Sequence, residues 1–246
     1  MRVLALDSSG LVASVALLED EAILGEYSTN FHKTHSTTLL PMLDELMRML
    51  ELDIKEASID VIAVAKGPGS FTGLRIGAAT AKGLALALKV PIIGVSTLAA
   101  LAFGLWGSRG LVCPIMDARR DQVYTGLYRF GKPDAAGGIS METVKEPCAV
   151  SIRQILNDVN TMASEVVFTG DGVSVFKDNI ISNTTVPYSF APPSHNRQRA
   201  SAVGAYAISM VGKDSSLLKA SGSLELDYLR LSQAERERLA AGRSIE

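Results

Sequence analysis

The sequence predicts an α/β fold built from two copies of one mixed-sheet unit, and three observations carry that expectation. Short apolar runs of strand length alternate with longer runs of helical period. Two of the strand-like runs, at 3–6 and 111–116, end on an aspartate (Asp7 and Asp117), and each is followed by further strand-like runs at hairpin spacing. The 246 residues are 47% hydrophobic and 20% charged, enough apolar material for a large core without a staple.

The elements follow in order. Residues 3–6 form the first strand. Runs at 11–18 and 22–27 complete a three-stranded meander, with Ser8-Ser9-Gly10 and Glu19-Asp20-Glu21 as its turns. A helix is expected over 37–52, capped by Ser36 or Thr37, with Pro41 in its first turn. A strand at 60–65, a glycine-rich turn, a helix at 72–88, a strand at 91–95 and a helix at 97–106 follow. The pattern then restarts. Strands are expected at 111–116, 122–130 and 142–150, the last across a Gly/Pro/Ala loop at 131–138. A helix at 151–160, a strand at 166–169 entering Gly170-Asp171-Gly172, and a helix at 200–211 close the series.

The repeated β-β-β-α-β-α unit resembles the duplicated actin/Hsp70-like, ribonuclease-H-like fold: two subdomains, each a mixed sheet flanked by helices. Gly, Ser and Arg interrupt the apolar runs at 104–110, so the expected division is 1–106 and 107–231. A charged tail at 232–246 reads as solvated or loosely docked.

Composition narrows the function. Net charge is −2 and the pI about 6.0, so no polybasic footprint for nucleic acid is present. The two cysteines, Cys113 and Cys148, make no disulfide framework, and Cys113 lies in an apolar run. Arg2 and then Asp7 interrupt the N-terminal apolar stretch too early for a secretory leader. No window reaches the roughly 18 apolar residues of a membrane span. A reduced, cytoplasmic setting without membrane contact is expected.

The most informative segment is GPGSFTGLRIG at 67–77. A glycine-rich turn from strand to helix can hold an anion on exposed N–H groups. The spacing here is G-x-G-x-x-x-G, and no Lys-Ser/Thr pair follows, so neither the dinucleotide fingerprint nor the P-loop matches. By spacing alone it is a tight turn where helix and sheet approach closely.

That segment, with AATAKGLALAL and VPIIGVSTL after it, closely resembles the TsaB/YeaZ family over residues 1–101. The likeness continues more weakly through the MDARRDQVY run from Met116, the FTGDG run from Phe168, and Tyr228-Leu229-Arg230. The resemblance implies a bacterial protein needed for threonylcarbamoyladenosine in tRNA. Its partners would be the related catalytic subunit TsaD, the ATPase TsaE, and a second copy of itself. A TsaC-type enzyme would supply threonylcarbamoyl-adenylate, and tRNA would be met only through the complex.

The resemblance also bears on catalysis. The catalytic relative carries a metal-binding H-x-x-x-H after its fifth strand, where helical spacing sets two imidazoles on one face. Here those positions are Thr97 and Leu101, so no metal site is expected. The three histidines, His32, His35 and His195, read as ordinary loop residues, with a metal or partner contact as the sharper alternative for the first two. A degenerate nucleotide cleft remains open, formed by Asp7, Ser8 and Ser9 with Gly170, Asp171 and Gly172. The second turn, Asp117-Ala118-Arg119-Arg120, is bulky and lacks a glycine, so weak binding is the most expected and no cofactor is assigned. A peptidase is the other class weighed. No G-x-S-x-G elbow occurs, and Ser70 has no histidine nearby in sequence.

Two helices are candidate partner surfaces. In the first, Leu39, Leu43, Leu46 and Leu50 fall within about 60° of each other. Leu40 and Met47 lie to one side, and Met42 and Met49 to the other. The arc is wider than one core-facing stripe needs, so the helix is either buried on several sides or shared with a partner. In the second, Ala79, Gly83 and Ala87 leave one face almost bare, with Arg75 and Lys82 beside it. A dimer interface across both helices is expected to bury about 1,600 Å², with Leu→Glu at Leu39 or Leu46 as its test.

Overall fold

The computed structural model describes residues 1–30, 35–133 and 139–230. His32, most of the 131–138 loop and the 232–246 tail therefore lie outside the described residues.

The first unit runs β1 (Arg2–Asp7), β2 (Ala13–Glu19), β3 (Ala22–Thr29), α1 (His35–Met49), β4 (Val61–Gly67), α2 (Phe71–Leu88), β5 (Ile92–Ser96) and α3 (Thr97–Phe103). The second runs β6 (Leu111–Asp117), β7 (Gln122–Phe130), β8 (Met141–Ser151), α4 (Ile152–Met162) and β9 (Val166–Thr169). It continues through α5 (Gly172–Val175), α6 (Lys177–Asn183), β10 (Tyr188–Phe190) and α7 (Ala200–Lys213). The sheets have orders β3-β2-β1-β4-β5 and β10-β9-β6-β7-β8. Taken from the meander outward, the second order repeats the first, strand for strand. This is the duplicated actin-like arrangement, and it makes Asp7 and Asp117 topological equivalents.

Apolar alternation sets the layers. Leu4, Leu6, Val15 and Leu17 face α1 and α2 on one side of the first sheet. Val3, Ala5, Ala16 and Leu18 face α7 on the other, with Ala200, Val203 and Ala207 against them. A Cβ at Gly204 would overlap Leu18, so glycine there lets α7 lie close to the sheet. Thus α7, last of the second unit in chain order, covers the first sheet. The second sheet packs α4, α5 and α6 on one face. Its other face meets α3 through Leu98, Leu101, Val112, Met116 and Tyr128.

Some helix caps are local and one is remote. Ser151 and Ser96 start α4 and α3 by accepting from Gln154 N and Ala99 N. The cap of α7 comes from elsewhere in the chain: Ala200 N donates to Ser14 Oγ (2.9 Å) and Ser201 N to Glu26 Oε1 (3.0 Å). Arg199 completes the cluster as an ion pair with Glu26. Burial would push the Glu26 carboxyl up, but Arg199 and Ser201 outweigh it and hold its pKa below the usual value.

Helix α1 departs from expectation. It begins at His35, so neither Ser36 nor Thr37 caps it, and Pro41 sits beyond the first turn. The ring of His35, the first residue of this helix, bonds the Gly10 carbonyl (2.9 Å).

Candidate functional site

The glycine-rich segment packs against the first turn. A Cβ at Gly69 would overlap the Ser9 carbonyl, one at Gly73 the Ser8 carbonyl, and one at Gly77 the Ser8 hydroxyl. Ser70 N donates to Ser9 O (2.7 Å), and Ser8 Oγ donates to Gly73 O (2.9 Å). Ser70 Oγ caps α2 by accepting from Gly73 N (3.2 Å). The segment therefore seats the helix on the turn, as its spacing suggested. Gly67, at φ +121°, approaches the Asp227 carbonyl where a Cβ would collide with it.

The second unit repeats this contact. Gly170, at φ +102°, and Gly172 lie on the end of β6, where a Cβ at Gly172 would be 2.9 Å from Asp117 N. The β6–β7 turn puts Arg119, Arg120 and Asp121 at φ +64°, +56° and +55°, left-handed conformations taken without a glycine. Arg119 N donates to Asp117 Oδ1 (2.8 Å), and the Arg230 guanidinium donates to the Ala118 carbonyl.

The predicted cleft residues do converge. Asp7 is 1% exposed, and its Oδ1 accepts from Ser9 N (2.8 Å) and Ser9 Oγ (2.6 Å). Burial raises its pKa to about 6; the Ser9 hydrogen bonds and His35 oppose the shift, and Asp171 adds to it. Burial also pushes the Asp171 carboxyl up, opposed by Gln198. Gln198 is the residue that sequence reasoning missed. It is buried, its Nε2 donates to Asp171 Oδ1 (3.1 Å), and a Cβ on Gly10 would sit 2.7 Å from its amide carbon. Its Oε1 has no hydrogen-bond partner. Gln198 thus plugs the cleft between the first turn and the Asp171 turn. The turn's polar groups serve protein partners: Ser9 N–H goes to Asp7, and Ser9 O takes the Ser70 N–H.

The histidines sort differently from expectation. His35 is no loop residue: it opens α1, bonds Gly10, faces Asp7, and buries an unpartnered Nδ1. No local signal marks it, because Gly10 lies 25 residues away. His195 is exposed, beside Ser194 Oγ (2.9 Å). Thr97 and Leu101 are both buried in α3, Leu101 among the side chains facing the second sheet. Among the described residues no cluster of three metal-ligating side chains occurs, and no helix is long and apolar enough to cross a membrane.

The interface candidates divide. Leu39, Leu43, Leu46 and Met47 are buried in the chain's own core, and Leu50 packs at its edge. A Glu at Leu39 or Leu46 would therefore report on folding, not on pairing. Leu40 is 54% exposed. On α2, Thr72, Arg75, Ala79, Gly83, Leu86 and Ala87 form an exposed ridge, Lys82 is half-buried at its side, and a Cβ on Gly83 would meet nothing within 4 Å. Arg75 is engaged within the chain: its guanidinium lies 3.8 Å from the Phe71 ring centroid, and its Nε donates to Tyr228 Oη (3.2 Å).

Comparison with known proteins places these features in a family. The family model for "TsaD: tRNA N6-adenosine threonylcarbamoyltransferase" matches residues 23–231. The tRNA threonylcarbamoyladenosine biosynthesis protein TsaB of Bacillus subtilis is 34% identical over 235 residues, 96% of each chain. The TsaB of Escherichia coli is 33% identical over 180 residues, covering 72% of this chain and 74% of that one. The solved structure of YeaZ from Pseudomonas aeruginosa superposes with a TM-score of 0.75 at 25% identity, covering 93% of this chain and 99% of that one. The chain belongs to the TsaB/YeaZ family of tRNA threonylcarbamoyladenosine biosynthesis proteins, within a wider TsaD-related group.

Proposed function

We propose that this chain is a non-catalytic subunit in threonylcarbamoyladenosine synthesis. It pairs with a TsaD-type transferase, works with a TsaE-type ATPase in the cytoplasm, and pairs with itself when alone. The observation that carries the proposal is the bare ridge of α2. Ala79, Gly83 and Leu86 stand exposed on one face, and the neighbouring α1 adds Leu40. A ridge of small residues lets another backbone come close, and burying Leu40 and Leu86 favours the pair. Thr97 and Leu101 support the non-catalytic half of the reading, since neither offers a metal ligand. With a net charge of −2, the chain leaves most phosphate contacts to its partners.

Nucleotide binding in the Asp7 cleft is proposed to be weak, because the donors a phosphate would use are already engaged: Ser9 N–H and Oγ by Asp7, and Ser8 Oγ by the Gly73 carbonyl. Calorimetry with MgATP is expected to give a Kd above about 1 mM.

The test is reconstitution. TsaD-type and TsaE-type proteins, an enzyme supplying threonylcarbamoyl-adenylate, and tRNA are combined with and without this chain. Modified tRNA is expected only when the chain is present, and none from the chain alone. Full modification without it overturns the proposal.

A further inference from the structure

We propose that the cavity between β5 and β8 is a binding site for a small, extended amide of about dipeptide size. The cavity lies in the seam of the molecule, away from the Asp7 cleft and the α2 ridge. Its volume is about 280 Å³, just below the roughly 300–1,000 Å³ typical of small-ligand sites. Its walls come from both sheets, from α3 and α7, and from the chain after α7.

The strand edge specifies the chemistry. Ile92 exchanges both backbone hydrogen bonds with Lys219, each 2.9 Å. Residues 91, 93 and 95 turn toward β4, as the parallel register and the Ile62 N to Pro91 O bond require. Gly94 therefore aims its N–H and C=O at the same edge as Ile92. The chain that pairs with Ile92 does not go on to cover Gly94. It turns instead through a 3-10 helix at Ser215–Leu217, and Gly94 lines the cavity. One donor and one acceptor on a strand edge are met by a group that returns both bonds, which is what an extended amide does.

The remaining walls fit the same ligand. Tyr128 lines the cavity, is 1% exposed, and its hydroxyl makes no hydrogen bond of normal geometry. Burial pushes its pKa up, with Ser96 offsetting part of the shift, so the hydroxyl stays a donor at neutral pH. A buried hydroxyl left unpaired costs free energy that a ligand carbonyl would recover. Met210 and Leu217 supply apolar wall for a side chain, while exposed Lys219, Glu146 and Glu225 place charges of both signs on the lining, beside a Lys66 already paired with Asp227. Such a rim suits the two ends of a free dipeptide.

The test uses the full 15N-labelled chain titrated with Gly-Leu to about 10 mM, the range in which weak ligands of this size saturate. The Gly94 amide resonance is expected to move and saturate. Tyr128→Phe keeps the ring and removes the hydroxyl, and is expected to weaken binding about fivefold. Thr143→Trp, on an exposed lining residue of β8, is expected to abolish the response while circular dichroism stays unchanged. An unmoved Gly94 resonance, or a response that survives both substitutions undiminished, overturns the proposal.

Discussion

The two units share a strand order but diverge beyond the fourth strand of each. After β4, the glycine-rich segment launches one 18-residue helix, α2, seated on Ser8 and Ser9. After β9, Gly170 and Gly172 make the equivalent contact with β6, yet the chain breaks into two short helices of 4 and 7 residues. The opening turns differ too. Asp7 is buried and bonded to Ser9, with Gln198 filling the space between Gly10 and Asp171, whereas the Asp117 turn is held in left-handed backbone and its arginines are exposed. The lesson is that a duplicated topology has been specialised. One copy has become a closed, hydrogen-bonded turn under a long helix with a bare outer face. The other keeps an open turn and packs the two short helices, α5 and α6, on its own sheet.

The largest test of that contrast compares matched glycines. Gly69→Ala pushes a Cβ into the Ser9 carbonyl, which is backbone and cannot step aside. It is expected to cost about 3 kcal/mol or more, against about 1–2 kcal/mol for Gly172→Ala, whose Cβ meets its neighbours at 2.9 Å. Denaturant midpoints measure both, and equal costs would erase the distinction.

Next comes the cap that ties α7 to the first sheet. Glu26→Ala removes the acceptor of Ser201 N and takes the carboxylate partner from Arg199, at an expected cost of about 2–3 kcal/mol in urea unfolding. The lowered pKa of Glu26 fixes the sign with pH. Its stabilisation is present above the ordinary carboxylate pKa and fades as pH falls through the lower folded value.

Asp7 has the opposite sign. Its folded pKa of about 6 exceeds the ordinary 3.8, so the folded state holds the proton more tightly. Stability from this group is full below about pH 4 and declines as pH rises through 6. Asp7→Asn is expected to raise Tm at pH 8, by an amount corresponding to about 1–3 kcal/mol, and to change little near pH 4. A Tm gain independent of pH would show that burial of this carboxylate is not the cause.

The smallest effect is on the ridge. Gly83→Ala meets no neighbour and is expected to stabilise the isolated chain by about 0.5–1 kcal/mol through helix propensity alone. The same substitution is expected to weaken association in a pull-down with a TsaD-type partner.

Much of this was legible in the sequence. The two apolar runs ending on Asp7 and Asp117 announced the duplication, because a strand's burial pattern is local. The reading of 67–77 as a close-approach turn also comes from spacing, since only glycines permit the Ser8 and Ser9 contacts. Residues joined by long-range geometry were not legible. Gln198 meets Asp171 and Gly10, His35 meets Gly10, and Glu26 caps a helix 175 residues away. Short elements such as α5, α6 and β10 are too brief to show a period. The wide apolar arc of α1 showed burial but not its owner. The structure gives most of it to β2, β3, α2 and the segment around Ala57 and Ile59, leaving Leu40 and Met49 outside.

The most direct measurement concerns that remaining surface. A Leu40→Glu, Leu86→Glu double variant changes two residues that are 54% and 72% exposed, so the fold should survive by circular dichroism. The account predicts that this folded variant no longer co-elutes with a TsaD-type partner on gel filtration and no longer supports tRNA modification. Normal co-elution and full modification by the folded variant would contradict it.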